Sequence, residues 1–131
     1  MGSGPAALRE AGERAPGLLL GEGVELPASV EVGGHVVIHA GTVIGERCRL
    51  GDGAVLGRAP VLGSRSMASQ AALPPLDLCP GAAVGAGAVV LAGARIGEGA
   101  VVGDQAHVRE RARVGEESVV GRGSAVDNDV T

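Results

Sequence analysis

Three histidines are the side chains of this 131-residue chain that suit proton transfer at neutral pH, where histidine is the commonest general base. A reaction in which an amine or a hydroxyl group attacks needs such a base. The three are His35, His39 and His107. Because His107 is flanked by Gln105 and Arg109, polar side chains that could line a cleft with it, it is our candidate catalytic base.

Metal binding is a second chemistry open to histidine, and a catalytic zinc ion is typically held by three protein ligands. His35 and His39 are four residues apart, a spacing that places two side chains on one face only in a helix. The pattern around them is not helical, so we expect them on different faces. The sequence therefore gives no metal site.

A six-residue repeat must position these side chains. Gly often follows the aliphatic residue that opens each unit, and a small residue or Val usually stands four places after it. A fixed short period of this kind is typical of a solenoid. The opening residues are Leu26, Val32, Ile38, Ile44, Leu50, Leu56 and Leu62, and then Leu78, Val84, Val90, Ile96, Val102, Val108, Val114, Val120 and Val126.

The repeat predicts an all-β fold of stacked coils. Glycine or small residues at every sixth position mark turns, and the short strands between them must be parallel because each turn bends the chain the same way. Three units make one triangular coil, and coils stack at about 4.8 Å. The absence of Phe, Tyr and Trp fits a narrow interior of Val, Ile, Leu and Ala better than an ordinary core.

Interruptions of the repeat divide the single domain into four segments: a non-repeat segment 1–25, a first run 26–63, an extruded loop 64–77 and a second run 78–131. The first segment contains a possible short helix over Ala6–Arg14, limited by Gly12 and Pro16. We count one unit from Leu62 plus about ten extra residues before Leu78. The loop is either a binding element or a tolerated insertion.

The motif of aliphatic, Gly, two free positions, small residue and one free position resembles the hexapeptide-repeat acyltransferases. The units IGERCR, VGAGAV, IGEGAV, VGDQAH and VGEESV match it. The stretch GDQAHVRERARVGEESVVGRGSAVDNDV resembles bacterial acyltransferases that modify amino sugars, including nucleotide-linked ones. The resemblance covers about residues 26–131 and implies a left-handed parallel β-helix of about five coils.

The resemblance also implies an activity and partners. Such enzymes transfer an acyl group from acyl-CoA, for example acetyl-CoA, to a sugar, hold no bound cofactor and build their sites between the subunits of a homotrimer. They usually carry further coils and a C-terminal segment. Because the repeat here runs in phase to Val130–Thr131, we expect the chain to be the N-terminal part of a longer protein, with little turnover of its own.

Stacking of residues three units apart brings like charges together at two places. Arg95 lies over Arg113 and Glu98 over Glu116, and like charges on adjacent strands repel. A partner subunit, a crossed Arg–Glu arrangement, a bound anion or splayed side chains would each relieve this. Since guanidinium suits phosphate, Arg95 and Arg113 are candidate substrate-binding residues. Opposite charges stack as surface salt bridges in three further pairs, which are Arg109 and Asp127, Arg111 and Asp129, and Asp104 and Arg122.

Composition excludes several classes of protein. A net charge of −4 and the absence of aromatic side chains argue against a nucleic-acid partner. No apolar run approaches the roughly 20 residues of a membrane span. Cys48 falls at an inward position, and with Cys79 it forms neither a metal-ligand nor a disulfide pattern, which fits a reduced, cytoplasmic protein.

Two alternatives to the acyltransferase remain open. The first is a structural or assembly β-solenoid without catalytic activity, whose coil ends stack on one another. The second is a zinc enzyme similar to the γ-type carbonic anhydrases, which would need three converging histidines.

Overall fold

The computed structural model describes residues 8–60 and 73–127. In these ranges the chain is a parallel β-solenoid of about five turns, which confirms the predicted all-β class. The same ranges contain no helix that could cross a membrane. The strands are β1 (Arg9–Glu10), β2 (Leu19–Leu20), β3 (Glu31–Val32), β4 (Val37–Ile38), β5 (Val43–Ile44), β6 (Arg49–Leu50), β7 (Val55–Arg58), β8 (Asp77–Leu78), β9 (Ala83–Val84), β10 (Val89–Leu91), β11 (Arg95–Ile96), β12 (Val101–Val102), β13 (His107–Val108), β14 (Arg113–Val114), β15 (Val119–Val120) and β16 (Ala125–Val126).

From β3 onward, every three successive strands belong to three different sheets. The seven-stranded sheet has the order β1-β2-β4-β7-β10-β13-β16, the five-stranded sheet β15-β12-β9-β6-β3 and the four-stranded sheet β14-β11-β8-β5. Apart from the antiparallel pair of β1 and β2, all pairings are parallel. Val102 pairs with Val84 on one side and Val120 on the other, so residues three units apart stack as predicted.

The core is formed by two positions of each unit, the opening residue and the small residue four places after it. Ile96, Val102 and Val108 are completely buried, and so are Ala100 and Ala106. Cys48 is also completely buried, as predicted from its place in the repeat. A narrow interior needs this alternation of large and small side chains, because adjacent walls of the coil are too close for two large ones.

Glycine after the opening residue is explained by the approach of the next coil. A Cβ atom placed on Gly97 would lie 2.8 Å from the backbone nitrogen of Glu116, a contact that cannot be accommodated without moving backbone. The fourth position of each unit, by contrast, requires a left-handed backbone conformation, as at Gly99, where φ is 70°. Among the described residues, five that are not glycine adopt it at a cost of about 1–2 kcal/mol each: His35, Arg47, Gln105, Arg111 and Glu117.

We expected a short helix over Ala6–Arg14, and this prediction is wrong for the residues that the structure describes there. Arg9–Glu10 instead form β1, which pairs with β2, and the chain turns back through a bond from the Ala11 N–H to the Leu18 carbonyl. Ala11 and Leu18 are buried against the first coil. The free edge of the sheet and the uncovered core outweigh the weak helix propensity of the segment.

The repeat begins earlier than the expected boundary at residue 26. Leu20 precedes Leu26 by one unit, is buried and pairs in register with Ile38. Arg14 stands at the opening position of the unit before that, where an aliphatic residue would lie inside a coil. Its guanidinium donates three hydrogen bonds of 3.1 Å, to the carbonyls of Leu26, Pro27 and Val30, and so satisfies backbone groups at the end of the solenoid.

The insertion lies between β7 and β8 and is longer than we expected. Leu56 pairs with Ile38, 18 residues before it, but with Val90, 34 residues after it, so 16 residues are inserted instead of ten. Leu62, which we expected to open a unit, and most of the loop 64–77 lie outside the described residues. Asp77, the last residue of that expected loop, already belongs to β8.

Ile96→Asp should destabilise the fold severely, because it would bury a carboxyl group among the aliphatic side chains of the core without a partner. We expect a cost of several kcal/mol and a fall in melting temperature of more than about 10 °C, measured by circular dichroism. Val101→Asp is the matched control, since Val101 is 38% exposed and points outward. Equal melting temperatures for the two variants would contradict the inward assignment of the opening residues.

Candidate functional site

A groove of about 280 Å³ opens on the outer face of the seven-stranded sheet, beside the point where the insertion leaves the coil. It combines two arginines, a histidine and apolar side chains, and none of the described residues that line it is acidic. The lining includes Arg58, Pro60, Val89, Leu91, His107 and Arg109. The sequence candidate His107 therefore belongs to a concave site.

Strand alternation directs His107 into this groove. In β13 the completely buried Val108 points into the core, so the preceding residue must point out. The backbone of His107 pairs with Val89 on one side and Ala125 on the other, and the imidazole is exposed. It can therefore reach a ligand without any change of the fold.

A β-bulge delivers Arg58, which the sequence analysis did not single out. Leu56 pairs with Val90, but the next residue of β10, Leu91, pairs with Arg58, so Gly57 is an extra residue with φ of 77°. Bulges bend a strand and redirect its side chains, and they are frequent beside functional sites. Gly57 also packs on the hydroxyl of Thr42, where a Cβ atom would clash.

Arg109 is held by its neighbour Glu110. Its Nε donates to Oε1 at 3.2 Å and its Nη2 donates to Oε2 at 3.1 Å, a two-pronged ion pair. Glu110 is 4% exposed, whereas the Arg109 side chain is 43% exposed and borders the groove. Arg109 thus forms its salt bridge with Glu110 in the same turn, and not with Asp127 as we expected.

The repeat itself contained a signal for this site. In the five-stranded sheet the residue after each described core position is always glycine: Gly33, Gly51, Gly85, Gly103 and Gly121. In the seven-stranded sheet the same position holds glycine only at Gly21 and Gly57, and otherwise His39, Leu91, Arg109 and Asp127. Side chains replace glycine at most positions of this corner, which carries the groove and the insertion, whereas after the described strands of the other two sheets only Cys79 does so.

His39 lies at this corner next to Arg58 but outside the groove lining. Burial lowers its pKa, and the charge of Arg58 lowers the pKa further. Its carbonyl accepts a 2.8 Å hydrogen bond from the Thr42 hydroxyl. The imidazole is therefore neutral at neutral pH, as expected for a histidine that supports the corner.

His35 lies at a different corner, in the left-handed position of a turn, where its ring packs over Gly17. His35 and His39 therefore lie at different corners, as expected for a stretch that is not helical, and His107 lies in the groove. Among residues 8–60 and 73–127, no three His, Cys, Asp or Glu side chains are grouped as metal ligands would be.

The candidates Arg95 and Arg113 lie together on the four-stranded sheet, away from the groove. Their backbones pair as predicted, and Asp77 pairs on the other side of Arg95. The Arg95 guanidinium lies 4.0 Å from the Asp77 carboxylate, with both side chains about half exposed. Asp77, brought into place by the insertion, offsets part of the repulsion, although an exposed pair of this kind stabilises by only about 0–1 kcal/mol.

The acidic groups stacked on the five-stranded sheet have a structural role. Asp104 accepts a 3.0 Å hydrogen bond from the Ala86 N–H, and Asp52 accepts one of 2.7 Å from the Gly34 N–H. In each case a carboxylate accepts a hydrogen bond from a backbone N–H in a turn of the preceding coil. The hydrogen bond of Asp104 is therefore to the backbone and not to Arg122, the partner that we expected. Asp129, expected over Arg111, lies outside the described residues.

The two cysteines are free and buried, in keeping with the predicted thiols. Burial raises the pKa of Cys48, and its Sγ donates to the Cys79 carbonyl at 3.3 Å. Cys79 occupies a position that glycine takes in neighbouring coils.

Comparison with known proteins supports the fold. No protein-family model and no curated protein matches the chain. Among solved structures, the N-terminal domain of CcmM in complex with CcmN is 16% identical, with a TM-score of 0.50 over 82% of this chain and 80% of that one. The chain has the hexapeptide-repeat β-helix fold.

Two bacterial acetyltransferases also match. A mutant of perosamine N-acetyltransferase from Caulobacter crescentus, in complex with CoA and GDP-perosamine, is 24% identical over 88% of this chain and 47% of that one, with a TM-score of 0.46. The acetyltransferase domain of PglB from Neisseria gonorrhoeae is 23% identical over 87% and 51%, with a TM-score of 0.43. The chain thus spans about half the length of each.

Arg58→Gln should raise the pKa of His39, because it removes a nearby positive charge, but the pKa should stay below the ordinary value of about 6.5, because burial is the larger cause. NMR titration of the imidazole signals would measure it. Arg95→Gln, on another sheet, is the control and should leave the His39 pKa unchanged.

The same shift sets the pH dependence of stability. Because the His39 pKa is lower in the folded chain than in the unfolded chain, the unfolded chain binds the proton at a higher pH. The free energy of unfolding is therefore at its full value above about pH 6.5 and decreases as the pH falls below it. A His39 signal that titrates at or above the ordinary value would contradict the burial of the ring.

Proposed function

We propose that the protein is an acyltransferase, or the N-terminal part of one, that moves an acyl group from acyl-CoA to an amino or hydroxyl group of a sugar. The observation that carries the proposal is an outward-facing histidine in a groove with two arginines, His107 with Arg58 and Arg109. The hexapeptide motifs resemble those of the same class of enzyme. CoA as donor and a nucleotide-linked sugar as acceptor follow the ligands named for the Caulobacter enzyme.

The chemistry requires one base and a place for the reactants. The acceptor amine or hydroxyl attacks the thioester carbonyl carbon, and His107 takes the proton that this nucleophile loses. When the tetrahedral adduct collapses, the C–S bond breaks and the protonated imidazole returns the proton to the departing thiolate of CoA. One amide or ester bond replaces one thioester bond, and the histidine ends as it began.

The outer face of the seven-stranded sheet favours packing against a second copy next to this groove. Its outward side chains form an aliphatic column of half-buried residues: Leu19, Val37, Val55 and Val89. The corresponding column of the four-stranded sheet contains Asp77, Arg95 and Arg113 instead. We propose a homotrimer in which this aliphatic column, which ends at His107, is covered by the neighbouring subunit.

The proposed activity is tested by following CoA release from acetyl-CoA with a panel of amino sugars and nucleotide-linked amino sugars. If His107 is the base, His107→Ala should lower the rate by about 10²–10⁴-fold. His35→Ala is the matched control, because His35 lies on another corner, and it should keep the parental rate. Turnover that survives in His107→Ala would refute the assignment of the base. A chain that neither binds acetyl-CoA nor turns it over would favour the structural solenoid.

The proposed trimer is tested by sedimentation equilibrium at micromolar concentration. We expect a mass three times the 12.8 kDa of one chain. Val55→Glu places a charge in the aliphatic column and should yield monomers, whereas Val101→Glu, on the outer face of the five-stranded sheet, should not. A parent protein that sediments as a monomer would remove the trimer and any site between subunits.

A further inference from the structure

Two arginines from different coils border the same groove without an acidic residue among its described lining. We propose that Arg58 and Arg109 form a binding site for the diphosphate group of a ligand, and that the buried Glu110 is the positioning residue that orients Arg109 in it. This inference rests on the groove of the proposed function but not on its chemistry. It names the part of a substrate that the groove recognises.

Glu110 is exceptional within the described part of the chain. It is the one charged residue there that is buried, at 4% exposure. Acidic residues at the same position of other units, such as Glu98 and Asp104, are exposed. Burying a carboxylate is costly and replacing such a pair by apolar residues is often neutral or stabilising, so the ion pair contributes little to stability. Its effect is to hold the Arg109 guanidinium in one orientation at the edge of the groove.

Donor counting shows that Arg109 can still bind a ligand. A guanidinium carries five N–H groups. Glu110 occupies one on Nε and one on Nη2, which leaves three donors for a second anion. Because the carboxylate fixes the plane of the guanidinium, these donors are preorganised, as they are where arginine recognises phosphate in two-pronged geometry.

The spacing of the two arginines favours an anion with two centres. Arg58 pairs with Leu91, and Leu91 is followed on the next coil by Arg109, so their backbones are two strand spacings apart. That distance is about 10 Å, which two long side chains can close from opposite sides. A diphosphate offers one anionic group to each guanidinium. The buried Leu91 between them excludes water and strengthens both contacts.

The size and charge of the groove agree with this ligand. Its volume of about 280 Å³ lies at the lower limit of small-molecule sites, which are about 300–1,000 Å³. It would therefore hold a diphosphate head group and leave the attached groups outside. The chain has a net charge of −4, so an anion is attracted where positive side chains are grouped, as Arg58 and Arg109 are in this groove.

Calorimetric titration of the full chain with inorganic pyrophosphate at low ionic strength tests the site. Arg58→Ala should weaken pyrophosphate binding at least tenfold, and because Arg58 is exposed the variant should fold normally. Arg49→Ala is the matched control, because Arg49 is exposed on the five-stranded sheet, and this variant should bind like the parent. Equal affinities for the parent and Arg58→Ala, or no pyrophosphate binding by the parent, would overturn the proposal.

The positioning role of Glu110 needs a readout other than affinity, because Glu110→Gln also removes a negative charge near the site. We expect this variant to lose most of the parental preference for pyrophosphate over sulfate, since a guanidinium that is free to rotate binds any anion. A circular dichroism melt identifies loss of fold. A folded Glu110→Gln protein with unchanged selectivity would show that Glu110 does not orient the site.

Two titrations distinguish the source of the diphosphate. CoA binding tighter than UDP, lost in Arg58→Ala, would assign the groove to the acyl donor, and the reverse order would assign it to a nucleotide-linked acceptor. Pyrophosphate binding by a chain that neither binds acetyl-CoA nor transfers its acyl group would uphold the site and refute the proposed activity. Acyl transfer that is unaffected by Arg58→Ala would uphold the proposed activity and refute the diphosphate site.

Discussion

The close approach of adjacent coils is the constraint on which the rest of this structure depends. Backbones stacked at strand spacing leave no room for a Cβ atom after the opening residue of most units, as at Gly97 against Glu116. They leave room inside only for an aliphatic residue and a small one, as with Ile96 and Ala100. The placement of glycine after the opening residue and the composition of the core both follow from this one distance.

The candidate site is found where that constraint is relaxed. Along one corner of the seven-stranded sheet, Leu91 and Arg109 stand where the five-stranded sheet has glycine, and the bulge at Gly57 lengthens β7 to include Arg58. The insertion leaves the coil at the same corner. The repeat thus departs from its rules in sequence, backbone geometry and length together at this corner, which is the pattern expected of function on a rigid scaffold.

Charge is arranged by the same stacking. Carboxylates on the five-stranded sheet satisfy the turns of the preceding coil, as Asp104 does for Ala86. On the four-stranded sheet, Asp77 faces Arg95 because the insertion restores the register after Leu56. The buried Glu110 differs from both, since it pairs with a side chain at the groove and not with the backbone. The position of Glu110 beside the groove is therefore explained by its role in the proposed site.

The sequence by itself determined the solenoid, its register and its core, because a six-residue period leaves one way to bury Ile96, Val102 and their equivalents. It also placed His107 outward, since its neighbour Val108 must face in. It misjudged the N-terminal segment, where the open edge of a sheet overrode helix propensity, and the size of the insertion, whose count depends on which strand Leu78 joins. Only the tertiary structure brought Arg58 to the groove that Arg109 borders and turned Arg109 toward Glu110. Arg58 reaches the groove through a bulge, and Arg109 pairs with its own chain neighbour. A repeat pattern specifies which residues stack but not where an irregular backbone or an outward side chain is directed.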